Sequence, residues 1–170
     1  MALRPLSADD LDALVALDAD PDVMRHITGG PPTPRALYVD VLLPRMLAAG
    51  GGDPERGFFV ADDTDGDFLG WFHLRPDGWE PTWLELGYRL RRERWGRGLA
   101  TEGTLALMAL ARRRDPSTVF SSRTVPENAA SRRVMEKCGL VEQPERFTFP
   151  ARVWPGLSLP EWEGVLYRSA

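Results

Sequence analysis

Two hydrophobic periods alternate along this chain. Residues 3–6 predict a short first strand. Ser7-Ala-Asp-Asp10 follows, a Ser at a helix N-cap with an acid three residues later, and Leu11, Leu14 and Val15 continue it at helical spacing. Pro21 and Gly29-Gly-Pro-Pro32 mark a loop. Thr33-Pro34 predicts the cap of a second helix, with Leu37, Val41 and Leu42 as its apolar positions; Pro44 should kink it and Gly50-Gly-Gly52 end it. Period two then takes over. Residues 58–62 and 67–75 predict a hairpin around Asp63-Thr-Asp-Gly66, an acid-rich turn read as solvated, and residues 82–90 a fourth strand. Residues 68–74 are apolar on both faces, as expected of a central strand. Leu99, Gly103, Ala106, Leu107 and Leu110 restore the helical period until Asp115-Pro116 stops it. Residues 118–125 predict a strand. Asn128 predicts the cap of a last helix with Ala130, Val134, Met135 and Cys138 inward and Gly139 after its end. Residues 141–149 and 161–169 alternate as a final strand pair joined by the Pro-rich residues 150–160.

The order β-α-α-β-β-β-α-β-α-β-β, a mainly antiparallel meander with one strand-helix-strand crossover, predicts an α+β (mixed α/β) three-layer fold in a single domain, residues 1–170. With 43% hydrophobic and 27% charged residues the chain is not of the disordered class. A net charge of -4 argues against a dedicated nucleic-acid binder and suits a cationic substrate. The single Cys138 excludes an intrachain disulfide, and no Cys/His cluster calls for a metal. No apolar run approaches the roughly 18 residues of a membrane span, and the acidic N-terminal stretch is no signal peptide, so a cytoplasmic protein is expected.

The chemistry concentrates in residues 85–102. A strand pattern ends at Leu90, then Arg91, Arg92, Arg94 and Arg97 crowd a turn that also holds Gly96 and Gly98, and a helix begins. Glycines expose backbone N–H groups, a helix start adds partial positive charge, and arginines add full charge, so the stretch predicts an anion site. A dinucleotide fingerprint would need a third glycine where Thr101 stands, and Gly-Lys-Ser/Thr is absent, which disfavours a nucleotide-binding module.

Trp95-Gly-Arg-Gly-Leu-Ala100 resembles the acyl-coenzyme A pyrophosphate loop of the GNAT superfamily of N-acetyltransferases, although Trp95 stands where that family usually has Gln or Arg. With Thr101 and Glu102 it resembles the branch that acetylates ribosomal-protein N-termini. Asn128-Ala-Ala-Ser-Arg-Arg-Val-Met-Glu-Lys-Cys-Gly-Leu140 resembles a second block of that branch. The resemblance implies a mostly antiparallel twisted sheet of about seven strands, flanked by helices and splayed between the fourth and fifth. It implies acetyl-CoA as co-substrate, no metal, and direct transfer of acetyl to a primary amine, on a protein N-terminus or a small molecule, in a ternary complex. The backbone N–H groups of Leu90 and Arg92 would meet the pantetheine and the acetyl oxygen. Trp95, Gly96, Arg97, Gly98, Leu99, Ala100 and Thr101 would carry the pyrophosphate, and Asn128 would bind the cofactor arm.

Amine attack needs a base, and the departing thiolate needs an acid. Met135 occupies the helix position at which many members of the family carry a Tyr, so Ser131 is the candidate acid. Glu85 is the candidate base, with Glu102 as a rival whose place in a helix's first turn already has a structural reason. Trp71, Trp83 and Tyr88 are candidates for the acceptor pocket, and His26 a minor one. A non-catalytic acyl-CoA-binding domain is the alternative. The last strand pair offers an edge for a homodimer.

Overall fold

Alternation along the strands sorts the side chains of one sheet into two faces. The computed structural model describes residues 1–154 and 156–170; Pro155, in the predicted 150–160 connection, lies outside them. In chain order the elements are β1 (Ala2–Pro5), α1 (Leu11–Asp18), α2 (Pro21–Met24), α3 (Arg35–Leu37), α4 (Leu43–Ala48), β2 (Gly57–Asp62), β3 (Phe68–Pro76) and β4 (Leu84–Leu90). Then come α5 (Leu99–Arg114), β5 (Phe120–Thr124), α6 (Ala129–Lys137), β6 (Val141–Phe149), β7 (Arg152–Trp154), β8 (Leu157–Leu159) and β9 (Trp162–Arg168). The seven-stranded sheet runs β1-β2-β3-β4-β5-β9-β6, and β7 and β8 pair separately. Every neighbouring pair in it is antiparallel except β4 and β5, as the meander with one crossover requires.

One face packs Phe72, Leu74, Leu86 and Phe120 against Leu107 and Met108 of α5 and Met135 of α6. The other packs Val60 and Trp71 against Leu14, Leu17, Met24 and Tyr38 from the N-terminal helices. A Cβ on Gly103 would lie 2.4 Å from Phe72 Cζ, so a glycine lets α5 lie close on the sheet. The buried stripe of α5 is Gly103, Thr104, Leu107, Met108 and Ala111. It keeps the helical period, with Leu99 and Leu110 partly buried beside it, but the rotation of the helix turns the expected Ala106 to the exposed side.

The Ser7 capping box forms as expected, on a short 3-10 turn ahead of α1. The second predicted helix is broken. Leu43 N–H bonds to Tyr38 O across a π segment, Tyr38–Leu42, between α3 and α4. Pro44 has no N–H for Asp40 O and its ring crowds that carbonyl, so the wider turn takes up the conflict. Pro34, not Thr33, stands at the N-cap, and the Thr33 hydroxyl instead donates to Asp18 at 2.5 Å. The residue 150–160 connection, expected to be plain loop, carries the hairpin β7–β8.

Candidate functional site

The parallel ladder between β4 and β5 holds only Leu84↔Phe120 and Glu85↔Ser121. Beyond it the strands part, and the Ser122 hydroxyl reaches across to Leu86 O at 2.8 Å. Arg91 N–H bonds to Leu69 O of β3. By pleat alternation the N–H groups of Tyr88 and Leu90 point the other way, into the gap.

From this gap the chain runs through a 3-10 turn, Arg92–Arg94, into α5. Gly96 and Gly98 have φ of +72° and +79°, and a Cβ built on either meets nothing within 4 Å. Gly98 is the N-cap of α5 and no side chain caps that helix. The first-turn N–H groups of α5 therefore face open space at the positive end of a helix of 16 residues. This arrangement fits the diphosphate of a coenzyme A: unclaimed donors, partial positive charge, and a backbone that a ligand can approach without meeting a side chain.

Charge contributes less here than the four arginines imply. Arg92 pairs with Asp20 at 2.9 Å and Asp22 at 3.8 Å, and Arg94 with Asp63 at 3.3 Å. Arg91 lies 3.8 Å from Glu93. Among the described residues only Arg97 of the four has no partner. The pairs fasten the loop to α2 and to the β2–β3 turn, and bonding to Asp20 raises the Arg92 pKa. The turn read as solvated thus has a structural task. Trp95 is a second fastener, its indole donating to Leu90 O at 2.9 Å.

Across the gap, Asn128 Oδ1 accepts from Ser131 N at 3.1 Å and caps α6. Tyr88 on β4 interacts with Ser131, while burial pushes its phenol pKa up. Tyr88 packs on Phe72, on the face covered by α5 and α6. Met135, at the position of the absent Tyr, is buried in that core.

The opposite face holds a polar cluster that the apolar reading of β3 missed. Trp71, His73 and Arg75 share it, in register with Arg89, Gly87 and Glu85 of β4. Glu85 lies 2.6 Å from Arg75, 3.5 Å from Arg123 and 3.8 Å from His73 Nε2. The His73 ring lies over Gly87, where a Cβ would stand 2.5 Å from its Cε1. Burial, then the charges of Arg75 and Arg89, hold His73 well below its ordinary pKa and therefore neutral. Arg123 grips Asp77 at 2.7 and 3.0 Å. Arg89 pairs with the fully buried Asp18, which also accepts from Tyr38 at 2.8 Å. Alternation of charged residues along β3 and β4 was the available signal for this cluster.

The three expected acceptor aromatics do not meet. Trp71 lies on the polar face and Tyr88 on the other. Trp83 lines a cavity of about 370 Å³ at the C-terminal end of α5, with Arg114 and Asp115. That cavity is about 24 Å from the glycine loop by helix rise, too far to serve it. His26 sits near Glu127 beside the start of α6, with its pKa lowered by burial. Glu102 is exposed and lies 3.4 Å from the N-terminal amine. Among the described residues no three His, Cys, Asp or Glu could hold a metal, and no helix is long and apolar enough to cross a membrane.

Comparison with known proteins gives a consistent picture. The family described as "Acetyltransferase (GNAT) domain" matches residues 1–141. "FsC-acetyl coenzyme A-N(2)-transacetylase" of Aspergillus fumigatus is 29% identical over 147 residues, 82% of this chain and 62% of that protein. The match thus spans under two thirds of that relative's length. The crystal structure of an acetyltransferase from Agrobacterium tumefaciens str. C58 is 25% identical, with a TM-score of 0.73 over 99% of this chain and 89% of that one. A spermidine N-acetyltransferase from Vibrio cholerae, solved with CoA and spermine, shares the fold at 16% identity, with a TM-score of 0.71 over 98% and 93% of the two chains.

Proposed function

Because this chain belongs to the GNAT acetyltransferase family, we propose that it transfers an acetyl group from acetyl-CoA directly to a primary amine, on a small molecule or a protein N-terminus. The observation that carries this reading is the uncapped start of α5, with two left-handed glycines before it, beside the point where β4 parts from β5. The A. fumigatus relative has acetyl coenzyme A in its name, which supports the same donor.

Acetyl-CoA, when bound, supplies an acyl group activated as a thioester. The N–H groups from Trp95 to Thr101, with Arg97, hold its diphosphate. The Asn128 amide, whose oxygen already caps α6, offers its NH₂ to the cofactor arm. The N–H groups of Leu90 and Arg92, with Tyr88, line the gap, donate to the pantetheine, and meet the carbonyl oxygen as charge gathers there. A C–N bond forms and the C–S bond breaks. Glu85 takes the amine proton, its carboxylate held in place by Arg75 and Arg123. Ser131, backed by the Tyr88 phenol, returns a proton to the thiolate. The edge strand β6 offers a surface for a homodimer.

A thermal-shift titration with acetyl-CoA, with NADH and ATP as controls, tests the reading. Saturation at about 100 times Kd should stabilise by about 2.7 kcal/mol, a rise of several degrees at this size. A response to NADH or ATP alone would falsify it. Ser131→Ala is expected to lower turnover by about a hundredfold with coenzyme A affinity retained; equal turnover in a folded variant removes Ser131 from the chemistry.

A further inference from the structure

We propose that the acceptor amine carries carboxylate or carbonyl oxygens near its nitrogen, and that the sheet face bearing Trp71 and Glu85 reads those oxygens. This inference rests on the acetyltransferase reading above. Its basis is a one-sided distribution of unmet polar atoms. Among the described residues, eight buried side-chain nitrogens lack a hydrogen-bond partner: Trp71 Nε1, both nitrogens of His73, the Nε atoms of Arg75, Arg89, Arg123 and Arg168, and Trp162 Nε1. Strand register puts all eight on one face. Trp71 and Arg75 oppose Arg89 and Glu85; Glu85 pairs with Ser121; Arg123 opposes Leu166, and Ser121 opposes Arg168, two and four residues before which stand Leu166 and Gly164 on the same side as Trp162. None lies on the face packed by α5 and α6.

Buried donors find partners in a working protein, in protein, water or ligand. An indole or an arginine Nε can only donate, so six of these atoms call for oxygen lone pairs; the imidazole alone can both donate and accept. The acids on this face are already engaged. Asp18 accepts from Thr33, Tyr38 and Arg89, and Asp77 from Ser121, Arg123 and two backbone N–H groups. Glu85 is held by Arg75 and Arg123. A polycation would therefore find no unclaimed carboxylate here and would leave the donors unmet.

The donors of Arg89, Trp71, His73, Arg75 and Arg123 are also continuous with the reaction centre, whereas Arg168 stacks on Trp83 at 5.4 Å. Arg89 stacks on Trp71 at 5.1 Å, Trp71 on His73 at 5.9 Å, and His73 lies 3.8 Å from Glu85. Two loop contacts close the far end. A Cβ on Gly29 would lie 3.8 Å from the Trp162 ring, and one on Gly156 would lie 3.2 Å from Pro34.

Two matched pairs test the proposal: lysine against 1,5-diaminopentane, the same skeleton without its carboxylate, and glycinamide against ethylamine. Thiol release from acetyl-CoA is measured with each, alongside the thermal shift by coenzyme A alone. We expect kcat/KM, expressed per neutral amine to remove the difference in amine basicity, at least tenfold higher for the oxygen-bearing member of each pair. Trp71→Phe, which removes one N–H and keeps an aromatic ring, is expected to shrink that preference severalfold with coenzyme A affinity unchanged. Equal or inverted preference, or no turnover of either pair while coenzyme A still raises Tm, overturns the proposal. Loss of the coenzyme A response itself overturns the acetyltransferase reading instead.

Discussion

Gly98→Val is expected to weaken coenzyme A binding at least a hundredfold, about 2.7 kcal/mol. Two effects add. Gly98 has φ +79° at the cap of α5, a left-handed conformation that is a genuine outlier for a β-branched residue and costs about 1–2 kcal/mol. Relief of that strain turns the first-turn N–H groups away from their common point. If the backbone holds, the new side chain projects into the space that now meets no atom within 4 Å, where the diphosphate would approach under the proposed function. Because that space is solvent and not core, the fold should survive with a small loss of Tm. Calorimetric titration with coenzyme A reads the affinity, and Gly98→Ala should fall between the two. An unaltered dissociation constant in Gly98→Val would mean that the loop is only a turn.

The second large effect is on stability. Asp77→Ala should cost about 3–5 kcal/mol, because it strands a buried cation. The Asp77 side chain is 0% exposed and that of its partner Arg123 is 6% exposed. Asp77 also accepts from the N–H groups of Trp79 and Glu80, so the same change loosens the turn that leads into β4. A drop in Tm on the order of 10 °C is expected for a chain of this size. Acid should act in the same direction. Burial by itself would raise the Asp77 pKa, but bonds from Arg123, Ser121 and the turn hold it down at about 2. An unfolded Asp titrates near 3.9, so the folded state is the weaker proton binder. Its contribution is complete above about pH 4 and fades as pH falls through about 2. Asp77→Asn should flatten that part of a stability–pH curve. A Tm within a degree or two of the parent for Asp77→Ala would show that Arg123 finds another partner, with Glu85 at 3.5 Å the nearest.

Local patterns carried much of the architecture. Period-two runs located the strands of the main sheet within a few residues, and Ser7, Asp115 and Asn128 marked helix ends through bonds made within a few positions. The glycine loop was legible for the same reason: a left-handed glycine before a helix start is a local arrangement. Three short elements, α2, β7 and β8, were not legible. Each has four residues or fewer per element, too few for a period to register.

The loop's charge was misjudged because ion pairs are not local. Arg92 meets Asp20 across 72 positions of sequence, so a basic cluster on paper is largely neutralised in space. His73 belonged to a segment, residues 68–74, that read as apolar on both faces, and only the register of His73 and Arg75 with Gly87 and Glu85 gathers them into a polar face. From its sequence alone, this chain determines the strands of its main sheet, the ends of α1, α5 and α6, and the bare glycine backbone ahead of α5, since these follow from neighbours in the chain. Only the tertiary structure decides that β4 and β5 part after two paired residues, that Tyr88 meets Ser131, and that unmet donors gather on one face of the sheet. Those outcomes depend on which distant strands share a register, and register is set by the packing of the whole sheet between its two helical layers.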